Sequence, residues 1–163
     1  MTTNLKQKYF LKLSLEWDSV FLSNSPDKRR LLREAFDRLV DEVELSAKDM
    51  NHLFDAVADE LLGYGPLTSV LADNDICEIF VADPQHVFAI RQGRLEECAV
   101  RFDDANHVLR ILDRIRLEVE GLRHGQSDIP LAGTLELPNG VRLDYLLRSS
   151  DGTPVVVIRK MSR

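Results

Sequence analysis

Apolar positions change their period near the middle of the chain, and that change predicts its organisation. Leu31, Leu32, Ala35, Phe36, Leu39, Val40 and Val43 recur at spacings of three and four. They predict an amphipathic helix with one buried stripe, started by Ser25 as cap and Pro26 at its first position. Leu53, Phe54, Val57, Ala58, Leu61 and Leu62 repeat the pattern behind Ser46. The short connection makes the two an antiparallel hairpin. Gly63 and Gly65-Pro66 break the second helix, and Leu67 to Leu71 is a short apolar turn. Residues 1–25 are ambiguous: Phe10, Leu11, Leu13, Leu15 and Trp17 partly alternate as in a strand, whereas Leu13, Trp17, Val20 and Phe21 suit a helix. Trp17 and Phe21 either pack on their own domain or dock on a neighbouring subunit.

Past Asn74-Asp75 the period shortens to two. Ile76–Val81, His86–Arg91 and Arg94–Arg101 read as strands, with tight turns at Asp83-Pro84 and Gln92-Gly93. Asp103 or Asp104 then caps a helix whose apolar face is Val108, Leu109, Ile111, Leu112, Ile115 and Val119, and Gly121 stops it. A polar loop leads to strands at Leu131–Leu137, Val141–Leu147 and Val155–Arg159, the first two joined through Asn139-Gly140, a strong hairpin signal. The order β-β-β-α-β-β-β predicts an α+β fold. A helical hairpin precedes a two-layer antiparallel sheet domain with one covering helix. This layout resembles a sensor-type (PAS-like) fold. The expected divisions are an extension over 1–25, a helical hairpin and hinge over 26–66, and the sheet domain over 67–163.

Composition narrows function mainly by exclusion. A net charge of -6 argues against nucleic acid as the main partner, because such domains carry a basic face. Lys28, Arg29, Arg30 and Arg33 do form a local basic patch, read as solvated surface, with an acidic partner or anionic lipid as the alternative. No apolar run is long enough to span a membrane and the first residues lack a signal-peptide pattern, so a cytoplasmic protein is expected. Cys77 and Cys98 read as free, buried thiols. There is no GxxxxGK[ST] loop, no GxGxxG and no HExxH. The four histidines lack ligand-spaced partners, so no metal, cofactor or catalytic set is expected in this chain. The exceptions to a bland surface are Arg123 in the polar loop and Arg142 and Arg159 on strands dominated by Val, Leu and Ile. A guanidinium there needs a carboxylate or a phosphate. Asp144 or Glu136 would supply an internal salt bridge; a phosphate or an acidic neighbouring domain is the functional alternative.

ELLGYGPLTSVLADNDICEIFVADPQHVFAIRQGRLEECAVRFDD at Glu60–Asp104, LRILDRIRLEV at Leu109–Val119, LPNGVRLDYLL at Leu137–Leu147 and VVVIRKM at Val155–Met161 together carry a resemblance. From about residue 30 onward the chain resembles the domain that precedes the motor in type II/IV secretion ATPases of the VirB11/CpaF/TadA type. The resemblance implies secretion-system partners, a ring-forming oligomer, usually a hexamer, and at most peripheral contact with the inner membrane. It implies that Arg123, Arg142 and Arg159 match arginines that help close a nucleotide site, and that Tyr64 and Leu67 lie at an interdomain or intersubunit contact. ATP and magnesium enter only if the chain is joined to a motor domain. Leu122, His124-Gly125, Thr134 and Glu136 depart from the family pattern, with an acid and an arginine both lost. Three readings follow: a non-catalytic N-terminal domain of a longer secretion or pilus-assembly ATPase, a stand-alone motor-less assembly or regulatory protein, or a small-molecule sensor of similar fold.

Overall fold

The computed structural model describes residues 2–17, 27–40, 44–121, 128–137, 139–148 and 150–160, without the side chains of residues 2, 3, 16 and 17. It divides into two compact units, Met1–Gly65 and Pro66–Arg163.

The first unit contains three described helices: α1 (Thr2–Trp17), α2 (Lys28–Leu39) and α3 (Ala47–Leu62). The ambiguity at the start of the chain resolves as a helix. Leu5, Tyr9 and Leu13 lie four apart, and this seam packs against the other two helices; Tyr9 and Leu13 are buried. What reads as a hairpin is therefore a three-helix arrangement. Its core joins Tyr9 and Leu13 to Leu32, Phe36, Leu53, Phe54 and Val57. Tyr9, Phe36 and Phe54 meet edge to face, with centroids 5.7 and 5.4 Å apart, a favoured aromatic geometry. Trp17's side chain and Phe21 lie outside the described residues.

Helix α2 starts later than Ser25-Pro26 predicts, and those two residues lie outside the described ones. Asp27 holds the cap position without a side-chain cap hydrogen bond, and Val40 ends the helix. Ser46 caps α3 as expected: its Oγ accepts from Asp49 N–H at 3.1 Å and donates to the Asp49 carboxylate at 2.6 Å. At the other end Gly65, at φ 55°, sends its N–H back to Asp59 O. That left-handed turn is why glycine stands there.

The second unit opens with α4 (Leu67–Ala72), a short helix where the sequence suggests a turn. Six strands follow in a single antiparallel sheet: β1 (Ile76–Asp83), β2 (His86–Arg91), β3 (Arg94–Glu97), β4 (Ala132–Glu136), β5 (Arg142–Leu147) and β6 (Pro154–Arg159). Their order is β3-β2-β1-β6-β5-β4, so two three-stranded meanders join at β1 and β6. Helix α5 (Ala105–Glu120) connects them. The α+β architecture matches the one predicted. The third strand is shorter than predicted: all four of its residues are exposed on an edge, and beyond it Cys98 N–H still reaches Val87 O at 2.8 Å.

The pleat decides which side chains meet α5. Ile79, Val81, Val87, Ala89, Leu143, Tyr145, Val156 and Ile158 are buried on one face, against Val108, Ile111, Leu112 and Ile115. A slip in register between Ile76 and Glu78 restores the alternation along β1. Asp104 caps α5 by accepting from His107 N–H at 2.8 Å, and the His107 ring answers by accepting from Asp103 N–H at 3.1 Å. This is a variant of the capping box: histidine takes the place usual for glutamate, and its donor is the N–H of the residue before the cap. Edge-to-face packing on Phe102, centroids 5.3 Å apart, buries the imidazole.

Candidate functional site: the sheet face opposite α5

The strands present their other faces in rows fixed by register. One row runs Leu95, Ile90, Glu78, Arg159, Arg142 and Glu136; the next runs Glu97, Phe88, Phe80, Val157, Asp144 and Thr134. Val155, Leu146 and Ala132 extend the face beyond them. The result has two parts. Phe80, Phe88, Ile90 and Val157 form a half-buried apolar band, with Leu95 and Leu146 66% and 56% exposed at its margins. Glu78, Arg159, Arg142, Glu136, Asp144 and Thr134 make a charged corner. Within this unit no described element contacts the sheet from that side: α5 and α4 both supply residues to the opposite layer. This apolar band with its two exposed leucines is the candidate contact surface of the unit.

The charged corner is organised by Asp144. Arg142 donates from Nη2 at 3.2 Å and Arg159 donates from Nη1 at 3.1 Å, so one carboxylate serves two guanidiniums. Thr134 Oγ1 donates to the same carboxylate at 2.6 Å. Thr134 and then Arg142 hold the Asp144 carboxyl below the usual carboxylate range. Arg159 also reaches Glu78, at 3.6 Å. Both arginine side chains remain 53% exposed. Arg142 and Arg159 are therefore brought together, as register partners on neighbouring strands. Arg123 lies outside the described residues. The sequence suggests Asp144 as a partner for one arginine; its service to both depends on β5 lying beside β6.

Tyr64 is half-buried at the end of the helical unit. Leu67, expected at an interface, is 3% exposed and sits in the core of its own unit with Phe102 and Ile115. Three of the four basic side chains of the patch on α2 are paired within the unit. Arg29 pairs with Asp55 at 2.6 Å, Arg30 with Glu34 at 2.6 Å and Arg33 with Asp37 at 2.8 Å. Arg29 and Arg33 also lie over the Phe54 ring. Cys77 and Cys98 are free and half-buried, and burial pushes the Cys98 thiol up.

One buried charge escapes sequence reading altogether. Arg116, on α5, is 2% exposed and pairs with Asp113 at 2.9 Å and Glu120 at 3.0 Å. Carboxylates three residues before and four after it are the only sequence signal, and the same spacing is common on wet helix faces.

Between α5 and the sheet lies a cavity of about 10 Å³, lined by Val81, Phe102, Ile111, Leu143 and Val156 among others. A ligand chamber needs about 300 Å³ or more. Among the described residues no group of three or more His, Cys, Asp or Glu could hold a metal ion. None of the described helices is long and apolar enough to cross a membrane.

With this geometry the chain can be compared with solved structures. Its fold is similar to part of a secretion ATPase. The crystal structure of the VirB11 ATPase from the Brucella suis type IV secretion system, in complex with sulphate, superposes with a TM-score of 0.50 and 29% identity. The similarity covers 60% of this chain and 30% of that one. No protein-family model and no curated protein matches the chain.

Proposed function

We propose that this chain is a non-catalytic module of a secretion-system ATPase assembly, and that the sheet face opposite α5 seats an ATP-hydrolysing domain. One observation carries the reading: the chain shares its fold with 30% of a VirB11 ATPase and has no phosphate-binding loop of its own. In such an assembly, hydrolysis belongs to a P-loop domain that binds ATP and magnesium, in the same polypeptide or another. This chain supplies contact and couples nucleotide state to movement. The Phe80–Phe88–Val157 band provides apolar area for that contact, with Arg142 and Arg159 at its rim.

A photo-crosslinker at residue 88, introduced in the cell, tests this. The expected product joins residue 88 to a sequence carrying GxxxxGK[ST], and Phe80→Lys abolishes it. Crosslinks only to chains without that loop would refute the reading. Blotting the native gene product then separates the two forms of the proposal: a product much heavier than 163 residues places module and motor in one polypeptide. A product of 163 residues makes this a stand-alone assembly or regulatory piece. The cavity under α5 gives the sensor reading no support, because about 10 Å³ suits one water and no metabolite.

A further inference from the structure

Strand β3 is an open edge of the sheet, and all four of its residues are exposed. The tight turn before it and the Cys98 N–H bond to Val87 O set its phase. Arg94 and Glu96 turn their backbone groups toward β2, and Leu95 and Glu97 turn theirs outward. Leu95 lies beside Ile90 on the open face, whereas Arg94 and Glu96 lie on the α5 side. Arg94 is the odd charge. It stands directly opposite Arg91, which is already held by Asp73 at 2.7 Å and Glu96 at 2.5 Å. Like charges directly opposite destabilise a strand pair. Glu97 is taken by Arg101 at 2.8 Å, and among the described residues Arg94 has no ion pair.

We infer that β3 pairs edge to edge with β3 of a second copy of this chain, antiparallel about a two-fold axis at Leu95. A two-fold that continues the sheet sets one residue opposite its own copy, because a register slipped by one turns the side chains to the wrong face. β3 offers four such residues. An axis at Arg94, Glu96 or Glu97 sets like charges against each other. An axis at Leu95 sets leucine on leucine, and each Arg94 then faces Glu96 of the second copy. The phase agrees. The outward N–H and C=O of Leu95 exchange hydrogen bonds with their copies, and Arg94 and Glu96 fall in the non-hydrogen-bonded positions, where opposing side chains come closest. Charges on an edge strand ordinarily keep other strands away; here they exclude every such register but one. The pairing joins two six-stranded sheets into one and brings the two Ile90–Leu95 pairs together across the axis. It closes at two copies, unlike a head-to-tail contact that builds a ring. It does not rest on what covers the face opposite α5.

Sedimentation velocity on the full chain over a concentration series reads this contact, which is small and so of the weak, reversible class. The natural chain should rise toward twice the monomer mass. Arg94→Glu alone and Glu96→Arg alone each replace two attractive pairs by two repulsive ones, and should weaken the dimer roughly tenfold or more. Mixed one to one, the two variants restore opposite charges at both positions and should regain the natural affinity as a heterodimer. Leu95→Lys, at an exposed position, should leave a monomer, and it serves where a charge exchange disturbs the hairpin. A natural chain that stays monomeric up to the millimolar range would overturn the proposal. So would a dimer that the charge exchanges leave intact, or a loss that the mixture does not repair. Phe80→Lys should leave this dimer unchanged; a dimer that it breaks runs through the other face and equally overturns the pairing at β3. The crosslink at residue 88 reads the docking proposal separately.

Discussion

Gly133 lies on edge strand β4 directly opposite Tyr145, and the close approach of the two yields a sharp prediction. A Cβ built at Gly133 would stand 2.7 Å from Tyr145 Cε1 and Oη and 2.8 Å from Cζ. These are two ring atoms and the phenol oxygen of a side chain only 5% exposed, which cannot swing aside as a flexible chain end would. Gly133→Ala should therefore push the ring off its seat. The overpacking costs about 1–3 kcal/mol. Against this, alanine lowers the entropy of the unfolded chain and returns about 0.4–1 kcal/mol. At the middle of both ranges the clash wins by about 1.3 kcal/mol, a fall in Tm of roughly 5–10 °C for a unit of this size. Thermal melts followed by circular dichroism read the shift. A double-mutant cycle identifies its cause, because Tyr145→Leu removes all three clashing atoms. In that background Gly133→Ala should be neutral or slightly stabilising. A melting point within about 1 °C of the natural chain, or an equal loss in the Tyr145→Leu background, would refute the argument.

Further outcomes follow from other contacts. Leu13→Ala should cost the helical unit about 2–5 kcal/mol in urea unfolding, because Leu13 is fully buried between helices; a change below about 1 kcal/mol would remove α1 from that core. Ser46→Ala should cost about 1 kcal/mol by removing the cap of α3, and Ser46→Asp should restore most of it. Acid should weaken the sheet unit. The Asp75 N–H and Arg91 hold Asp73 below the ordinary carboxylate range, Thr134 and Arg142 hold Asp144 there, and the Thr153 N–H does the same for Asp151. Each is a depressed acid, so its contribution is complete above the unfolded value of about 4 and is lost as pH falls through the lower folded value. The urea midpoint of this unit should be flat from about pH 7 to 5 and drop below about pH 4. Asp144→Asn should remove part of that drop. Burial raises Asp59 in the helical unit, so its unfavourable contribution at neutral pH is relieved on acidification, the opposite sign.

The functional surface was only half legible. Arg142 and Asp144 stand two apart on a strand, so a shared face follows from the pleat alone. That Arg159 joins them requires β6 to lie between β1 and β5, which no local pattern encodes. The apolar band was hidden for a related reason. Phe80, Phe88 and Val157 belong to three separate strands, and only the register shows them side by side on the face away from α5. Leu67 shows the same limit, because its 3% exposure and its packing on Phe102 and Ile115 are tertiary facts. An apolar residue after a hinge suits an interface as well as a core, and packing alone chooses between them.

Local chemistry, by contrast, was written in the chain. The Ser46 cap, a cap at Asp103 or Asp104, the Asn139-Gly140 turn and the helical stop at Gly121 each depend on backbone and side-chain groups within a few residues of one another, and the structure chooses Asp104. The period of the apolar positions fixed the element types and so the α+β class. The start of the chain shows where this breaks down. Tyr9 and Leu13 satisfy a helix, but the competing alternation through Phe10, Leu11, Leu13 and Leu15 is as good on paper. Docking against Phe36 and the apolar face of α3 settles it. Periodicity states which side of an element avoids water. Which partner covers that side, and which side is left for another molecule, is decided by strand order and packing, because those energies arise between residues far apart in sequence.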